Sequence, residues 1–321
     1  MSGRTGDGAA APRPRIPWRP LDGVLLADKP RGGSSNGFLQ ELRRLFRAEK
    51  GGHGGTLDPM ATGLLVVCFG EATKFSSWLL ESVKRYEGEI TLGVRTSTAD
   101  AEGETIERAD VAIDSADLAE VARRFTGTYD QRPPMYSALK FQGQPLYAYA
   151  RKGVEVEVKV RSITVSELRL ERIGSDRLRF AVVCSTGTYV RSLAEDLSAA
   201  LGTVGHLSAL RRTASGPFDV ADARTLEALA AMDEAGRDRC LLPVDRLPYA
   251  LPRLELGQEQ SLSLMQGRTV RLASESSFGR SRIYGPGDRF LGVAETDGDG
   301  VLRPVRLMAT QPAGKAAEKA R

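Results

Sequence analysis

Residues 51 to 63 read Gly51-Gly52-His53-Gly54-Gly55-Thr56-Leu57-Asp58-Pro59-Met60-Ala61-Thr62-Gly63, and the apolar run Leu64-Leu65-Val66-Val67-Cys68-Phe69 follows at once. Glycines at this density let the backbone take positive φ and approach a ligand closely. Pro59 keeps Asp58 out of the helical region. One carboxylate is therefore presented on a constrained turn. The apolar run is long enough for a buried strand that would anchor the loop in a core. A loop tied to a rigid strand is a common way to fix a reactive group.

Outward from this loop the chain alternates strand and helix patterns. Before it, Asp22 to Asp28 reads as a strand and Lys29 to Gly33 as a turn. Ser34 or Ser35 then caps a helix with Phe38, Leu39, Leu42, Leu45 and Phe46 on one face and Arg43, Arg44 and Arg47 on the other. After the loop, Ala72 to Ser82 reads as a short helix or turn. Tyr86 to Val94 alternates as a half-buried strand. Asp114 or Ser115 caps a helix that stops at Gly127. Residues 130 to 153, with three prolines and four aromatics, are too long for an ordinary connection and read as a functional loop. Strands are expected at Val154 to Val160, Ile163 to Leu170 and Leu178 to Cys184. Thr188 is expected to cap a helix carrying Val190, Leu193, Leu197 and Leu201 inward, closed by Gly202. Arg191 falls in its first turn, where a cation opposes the helix dipole, which suggests a nearby anion. Leu241 to Pro252 reads as a linker. Residues 253 to 310 form a small mixed unit with a helix near Gln258 to Met265 and strands near Thr269 to Leu272, Phe290 to Glu295 and Leu302 to Leu307. Residues 1 to 20 and 311 to 321 read as unstructured tails.

The 321-residue chain, 41% hydrophobic and 27% charged, has the composition of a soluble globular protein of about two domains. No apolar stretch is long enough to span a bilayer and no signal-peptide pattern opens the chain, so a cytoplasmic location is expected. Three scattered cysteines support neither a disulfide framework nor a zinc site, and with two histidines no metal centre is expected. The net charge of +4 sits in the tails, which carry +3 and +2 and leave residues 21 to 310 at −1. Local clusters tell more: Lys29 to Lys50 and Gln131 to Arg161 each hold six basic and two acidic residues.

Two chemical readings of the glycine loop fail. Gly33-Ser34-Ser35-Asn36-Gly37 matches a nucleophile elbow, with His53-Gly54-Gly55 as an oxyanion-hole turn and His206 as base. The strand-to-helix spacing and the motif order are wrong for it. A phosphate-cradling loop would need Gly-Lys-Ser/Thr at its end. Another reading takes Asp58 as a nucleophile, and it comes from a resemblance. Gly52 to Gly63 closely resembles the signature of the TruB-type tRNA pseudouridine synthases, which isomerise uridine 55 of the tRNA T-arm. Further motifs resemble the family's, in the family's order: Leu26-Ala27-Asp28-Lys29-Pro30 with Ser34-Ser35, Gly70-Glu71-Ala72-Thr73-Lys74, Lys84-Arg85-Tyr86, Gln131 to Lys140, Cys184 to Arg191, and Leu210-Arg211-Arg212-Thr213.

The resemblance covers residues 22 to 250 and implies an α+β catalytic domain on a mixed, mostly antiparallel sheet, in which residues 130 to 153 form a thumb-like RNA-binding loop. Residues 251 to 310 look like the family's small β-rich PUA-type RNA-binding domain. By this resemblance Asp58 is the catalytic aspartate, Tyr86 the tyrosine that stacks on the flipped uracil, and Arg191 the partner that orients the carboxylate. His53 resembles the histidine that holds the T-loop open, and Lys29 and Pro30 shape the pocket floor. Tyr136, Lys140, Arg151 and Lys152 of the thumb, with Tyr189 and Arg211, would contact RNA. No cofactor or metal is implied, and no obligate protein partner: a monomer acting on tRNA. Gly54 stands where the family more often has Thr or Ala, and Gly33 where it often has Met, which would loosen the RNA-facing loops. The alternative of another class is a tRNA-binding or tRNA-folding protein acting independently of Asp58.

Overall fold

The computed structural model describes residues 17–309 except 138, 147, 148, 150, 151, 155, 157 and 273–278. In chain order the first unit contains β1 (Gly23–Lys29), α1 (Ser35–Leu45), β2 (Gly51–His53), β3 (Thr62–Phe69), a 3-10 turn at Gly70–Phe75, α2 (Ser77–Leu80) and β4 (Lys84–Leu92). Next come β5 (Val94–Thr96), β6 (Thr105–Arg108), α3 (Ser115–Arg124), β7 (Gly127–Gln131), β8 (Lys140–Phe141) and β9 (Gln144–Pro145). The unit closes with β10 (Arg161–Arg172), β11 (Arg177–Cys184), α4 (Val190–Ala200), β12 (Gly205–Ser215), β13 (Phe218–Asp219), α5 (Leu226–Ala230) and α6 (Glu234–Asp238).

One nine-stranded sheet organises this unit, in the order β1-β3-β12-β4-β11-β10-β7, with β2 added on β3 and β13 on β12. Its pairings are antiparallel except β3 with β12, which run parallel through Arg211 opposite Thr62 and Arg212 opposite Gly63. The expected α+β architecture on a mixed, mostly antiparallel sheet is therefore present. β3 reads as unbroken hydrophobic sequence because both its faces are covered. Leu64, Val66 and Cys68 pack with Phe75 and Leu79, whereas Leu65, Val67 and Phe69 pack against Phe38, Leu39, Leu42 and Phe46 of α1. A third core, around Ile90, Val165, Phe180, Leu193 and Leu197, fills the other half of the sheet under α3 and α4. Leu57, Met60 and Ala61 of the glycine-rich loop belong to that third core. Each fully buried side chain of the size of Leu or Met contributes about 2 kcal/mol, so the loop is held at both ends.

The second unit holds β14 (Arg253–Glu255), α7 (Gln258–Met265), β15 (Val270–Arg271), β16 (Gly279–Gly285), β17 (Arg289–Thr296) and β18 (Val301–Leu307). They form a five-stranded sheet in the order β14-β16-β17-β18-β15 over a small core of its own. This is the expected β-rich C-terminal unit. It is docked on the first: Phe290 lies 5.5 Å from Phe75, Tyr284 Oη donates to Asp245 Oδ2 at 2.6 Å, and Val293 is part of the Phe75 core.

Several expectations need correction. No strand forms among the described residues of 154–160, and Val154 and Val160 are exposed. Tyr189, not Thr188, is the N-cap of α4, and no side chain caps that end. Residues 241–252 are not a free linker, because Leu242 pairs with Val24 and Leu247 is buried. Arg19, inside the stretch expected to be unstructured, bonds Asp238 through both Nη atoms at 2.6 and 2.5 Å, and its amide donates to the Arg47 carbonyl. The remaining tail residues, 1–16 and 310–321, lie outside the described residues.

Candidate active site

The glycine-rich loop gets its shape from residues beneath it. Lys29, with 0% of its surface exposed, donates from Nζ to the carbonyls of Pro30, Gly32, Pro59 and Ala61 at 3.0 to 3.3 Å. One buried ammonium thus gathers the turn before α1 and the turn holding Asp58. Burial lowers its pKa, against the pull of Glu102 and Asp58. Ser35, the serine of the elbow-like motif, is not a nucleophile: its Oγ donates to the Leu57 carbonyl and accepts from the Leu57 amide, both at 2.8 Å. Gly63 needs its lack of a side chain. At φ +100°, a Cβ there would come within 2.3 Å of the Arg212 carbonyl across the parallel pair.

Asp58 meets Arg191 in a forked ion pair. Nε lies 2.9 Å from Oδ2 and Nη2 donates to Oδ1 at 3.3 Å. The arginine side chain is 7% exposed and the aspartate 36%, so the carboxylate faces solvent from a buried cation. Arg191 has further partners: Nη2 donates to the Tyr136 carbonyl at 2.8 Å and Nη1 to the Thr98 carbonyl at 3.1 Å, with Asp100 Oδ2 3.7 Å away. The cation at the first turn of α4 is thus compensated by two carboxylates and two carbonyls. Burial raises the Asp58 carboxyl above its ordinary value; Arg191 opposes this shift and Asp100 adds to it.

The Asp58 carboxylate opens into a cleft of about 480 Å³ lined by Gly55 to Asp58, Leu80, Lys84, Tyr86, Tyr136, Ser137, Ser185 to Arg191, Leu210 and Arg212. Tyr86 projects from β4 opposite Arg212 of β12. Burial raises its phenol, and the Arg212 guanidinium, within hydrogen-bond reach, opposes the rise. A raised phenol is a proton holder at neutral pH, so the ring is suited to stacking. Tyr189 also lines the cleft beside Ser137, its phenol raised by burial.

The base of the 130–153 loop is tied to the start of α4. Gln131 accepts from the Tyr189 amide at 2.8 Å and donates to its carbonyl at 3.2 Å, while Ser192 Oγ donates to the Arg132 carbonyl at 2.9 Å. With the Tyr136 contact to Arg191, this makes the loop's root part of the cleft wall.

The structure thus brings Asp58, Tyr86, Arg191, Tyr136 and Tyr189 to one cleft. It places others elsewhere. His53 stands on β2 behind the loop, its pKa lowered by burial and by Arg212, and does not line the cleft. Lys29 lies under the loop and Pro30 is exposed beside it. Arg211 turns to the opposite face of β12 and forks onto Asp28 at 3.0 and 2.7 Å. Lys152 is exposed. The Lys140 side chain and all of Arg151 lie outside the described residues. Gly54 does not loosen its loop: Leu79 occupies the space, and a Cβ at position 54 would lie 2.4 Å from Leu79 Cδ1.

Three participants were missed. Arg212, 1% exposed, donates to the carbonyls of Leu64 and Gly55 at 2.8 and 3.1 Å and reaches Tyr86. Strand alternation from Tyr86 could have told it from Arg211, had the register of β12 on β4 been known. Lys84 is buried at the cleft wall, held down to about 8 by burial and by Arg212. Asp100 sits in an acidic run that looks like ordinary surface.

Comparison with known proteins agrees with this geometry. A family model described as TruB family pseudouridylate synthase (N terminal domain) matches residues 43–190, tRNA pseudouridylate synthase B C-terminal domain matches 191–247, and Pseudouridine synthase II TruB, C-terminal, matches 252–308. The chain is 51% identical over 297 residues to the tRNA pseudouridine synthase B of Azoarcus sp. (strain BH72), covering 92% of this chain and 98% of that one. To the protein of the same name from Burkholderia mallei (strain ATCC 23344) it is 48% identical over 306 residues, covering 94% and 98%. Among solved structures, a chain of a Cbf5-Nop10-Gar1 complex superposes with a TM-score of 0.67 at 23% identity, covering 95% of this chain and 92% of that one, which shows the shared fold. With its relatives matched nearly end to end, its fold shared and its aspartate, arginine and tyrosine converging on one cleft, the chain belongs to the TruB family of pseudouridylate synthases.

Proposed function

We propose that the protein isomerises uridine 55 in the T-arm of tRNA to pseudouridine, with Asp58 as the nucleophile, acting as a single chain without cofactor. The observation that carries this reading is the forked Asp58–Arg191 pair opening into a cleft that also presents Tyr86. A uridine inside the folded T-arm is out of reach of this carboxylate, so the nucleotide must be extruded to enter the cleft. Asp58 attacks the extruded nucleoside, the bond between the ribose carbon and N1 breaks, the uracil turns, a bond from C5 to the same carbon forms, and the bond to Asp58 breaks to return its carboxylate. The C5 proton is lost and N1 gains one, so the reaction is an isomerisation needing no redox partner. Arg191 holds the carboxylate ionised and oriented, and the Tyr86 ring packs on the base.

The relatives' printed name, tRNA pseudouridine synthase B, supports the choice of substrate. The basic 130–153 loop and the arginine-rich C-terminal unit would grip the tRNA phosphates. To test the reading, an unmodified tRNA transcript is incubated with the protein and its pseudouridines are mapped. One new pseudouridine at position 55 is the expected result. Modification at another position contradicts the site assignment, and binding or refolding of the tRNA without any pseudouridine favours a tRNA-folding protein.

A further inference from the structure

Leu80 is 50% exposed although it lines the catalytic cleft with Asp58 and Tyr86, and Val83 on the same corner is also 50% exposed. No other large exposed hydrophobic among the described residues lines the cleft. Its immediate neighbour Leu79 is fully buried against Gly54. The corner that carries Leu80 is a four-residue helix, α2, too short to hold its own shape. Two features fix it. From one side Leu79 fills the space left open by Gly54. From the other, the buried Lys84 ammonium donates to the carbonyls of Leu79 and Leu80, each at 2.9 Å, and of Ser82 at 2.5 Å.

All three ammonium protons of Lys84 are spent on the last carbonyls of α2 and the turn after it. The ammonium is thus directed at this backbone turn, though the side chain stands at the cleft wall. Its effect passes through the backbone to Leu80. The corner also rests on the turn after β12, where the Gly216 amide donates to the Val83 carbonyl at 2.9 Å. A rigid aliphatic side chain is thus held half-exposed at the mouth of a site that takes an extruded nucleotide.

Extrusion leaves a neighbouring base with one face unstacked. Bases freed in this way are covered by apolar or aromatic side chains in RNA complexes generally. We propose that Leu80 packs on the base next to the extruded uridine, and that Lys84 is the positioning residue that holds Leu80 at the rim. This inference rests on the RNA-isomerising reading of the cleft and adds a contact specific to the flanking nucleotide.

The test uses the full chain and a T-arm stem-loop RNA, with initial rates giving KM and kcat separately. Leu80→Ser should raise KM by roughly fivefold or more, the scale of losing one base contact, with kcat and Tm near those of the unmodified chain. Leu80→Phe should restore the low KM. Ile106→Ser, at another exposed aliphatic site far along β6, should change neither. Lys84→Met should raise KM as Leu80→Ser does, and the double variant should be no worse in KM than either single one. A 2-aminopurine placed beside the target should fluoresce more in the Leu80→Ser complex than in the unmodified one. If Leu80→Ser leaves KM and the fluorescence unchanged while pseudouridine still forms, the contact is refuted and the RNA-isomerising reading stands. If Leu80→Ser raises KM but the fluorescence is unmoved, Leu80 does not cover the flanking base, which also overturns the proposal. Absence of pseudouridine with the unmodified chain would instead remove the reading on which the contact rests.

Discussion

Arg191 joins two carboxylates, one exposed to the cleft and one buried, and this asymmetry shapes how Asp58 titrates. Burial and Asp100 push the Asp58 carboxyl up from the ordinary 3.8, and Arg191 pulls it back. On the proposed mechanism the attacking form of Asp58 is the ionised one, so reactivity is present above the folded-state pKa and lost as pH falls through it. The acid limb of the single-turnover rate should therefore have its midpoint above 3.8, falling tenfold per pH unit below it. Asp100→Asn removes the like charge and should move that midpoint down, as read from rate–pH profiles of the two proteins. Sequence reading singled out Asp58, Tyr86 and Arg191 from their motifs, and the fold brings the three to one cleft. The shift of the carboxyl was not legible in the sequence, because it comes first from burial and then from Arg191 and Asp100, which meet Asp58 only through the fold.

At the scale of elements, the glycine loop is rigid because its neighbours are built around it. Lys29 below, Ser35 beside and Leu79 above each fill a defined place. Gly54→Ala forces a Cβ against Leu79, an overpacking that costs about 1–3 kcal/mol. Trimming the neighbour makes room: in the Gly54→Ala, Leu79→Ala pair the two destabilisations should sum to more than the double variant shows, measured by urea unfolding. The strand β1, helix α1 and helix α7 were legible from local pattern, since capping by Ser34 and the apolar faces need no distant partner. Val154 to Val160 was misread because alternating valines signal a strand only when another strand is present to pair. β16 went unseen because Gly279-Arg280-Ser281-Arg282 has little apolar alternation, its ladder being supplied by β17. Gly54 looked like slack for a similar reason: the side chain that fills its place is Leu79, on another element.

The two large sheets, each over core of its own, are joined by one further core to which both units contribute. Phe290 and Val293 of the C-terminal unit pack with Phe75 and Leu79, the same leucine that lies over Gly54. RNA-contacting units attached by a loose tether could reorient, whereas here the contact ties the C-terminal sheet to the element that forms the cleft rim. Unfolding should therefore be a single calorimetric transition across both units. Phe290→Ala should lower stability by about 2 kcal/mol, less than for a fully buried phenylalanine because Phe290 is only partly covered. Two resolved transitions would show that the units are independent. The prolines of residues 241–252 suggested a linker, but the backbone pairing of Leu242 with Val24 is a tertiary fact that composition does not carry.

The measurement that bears most directly on Asp58 is the single-turnover formation of pseudouridine in a T-arm transcript by the Asp58→Asn variant, beside the unmodified chain. Asparagine keeps the size of the side chain and removes its charge, so RNA binding should persist while pseudouridine formation falls to background, a loss of at least about 10³-fold. Pseudouridine formed by the variant at a rate close to that of the unmodified chain would show that the nucleophile is another group.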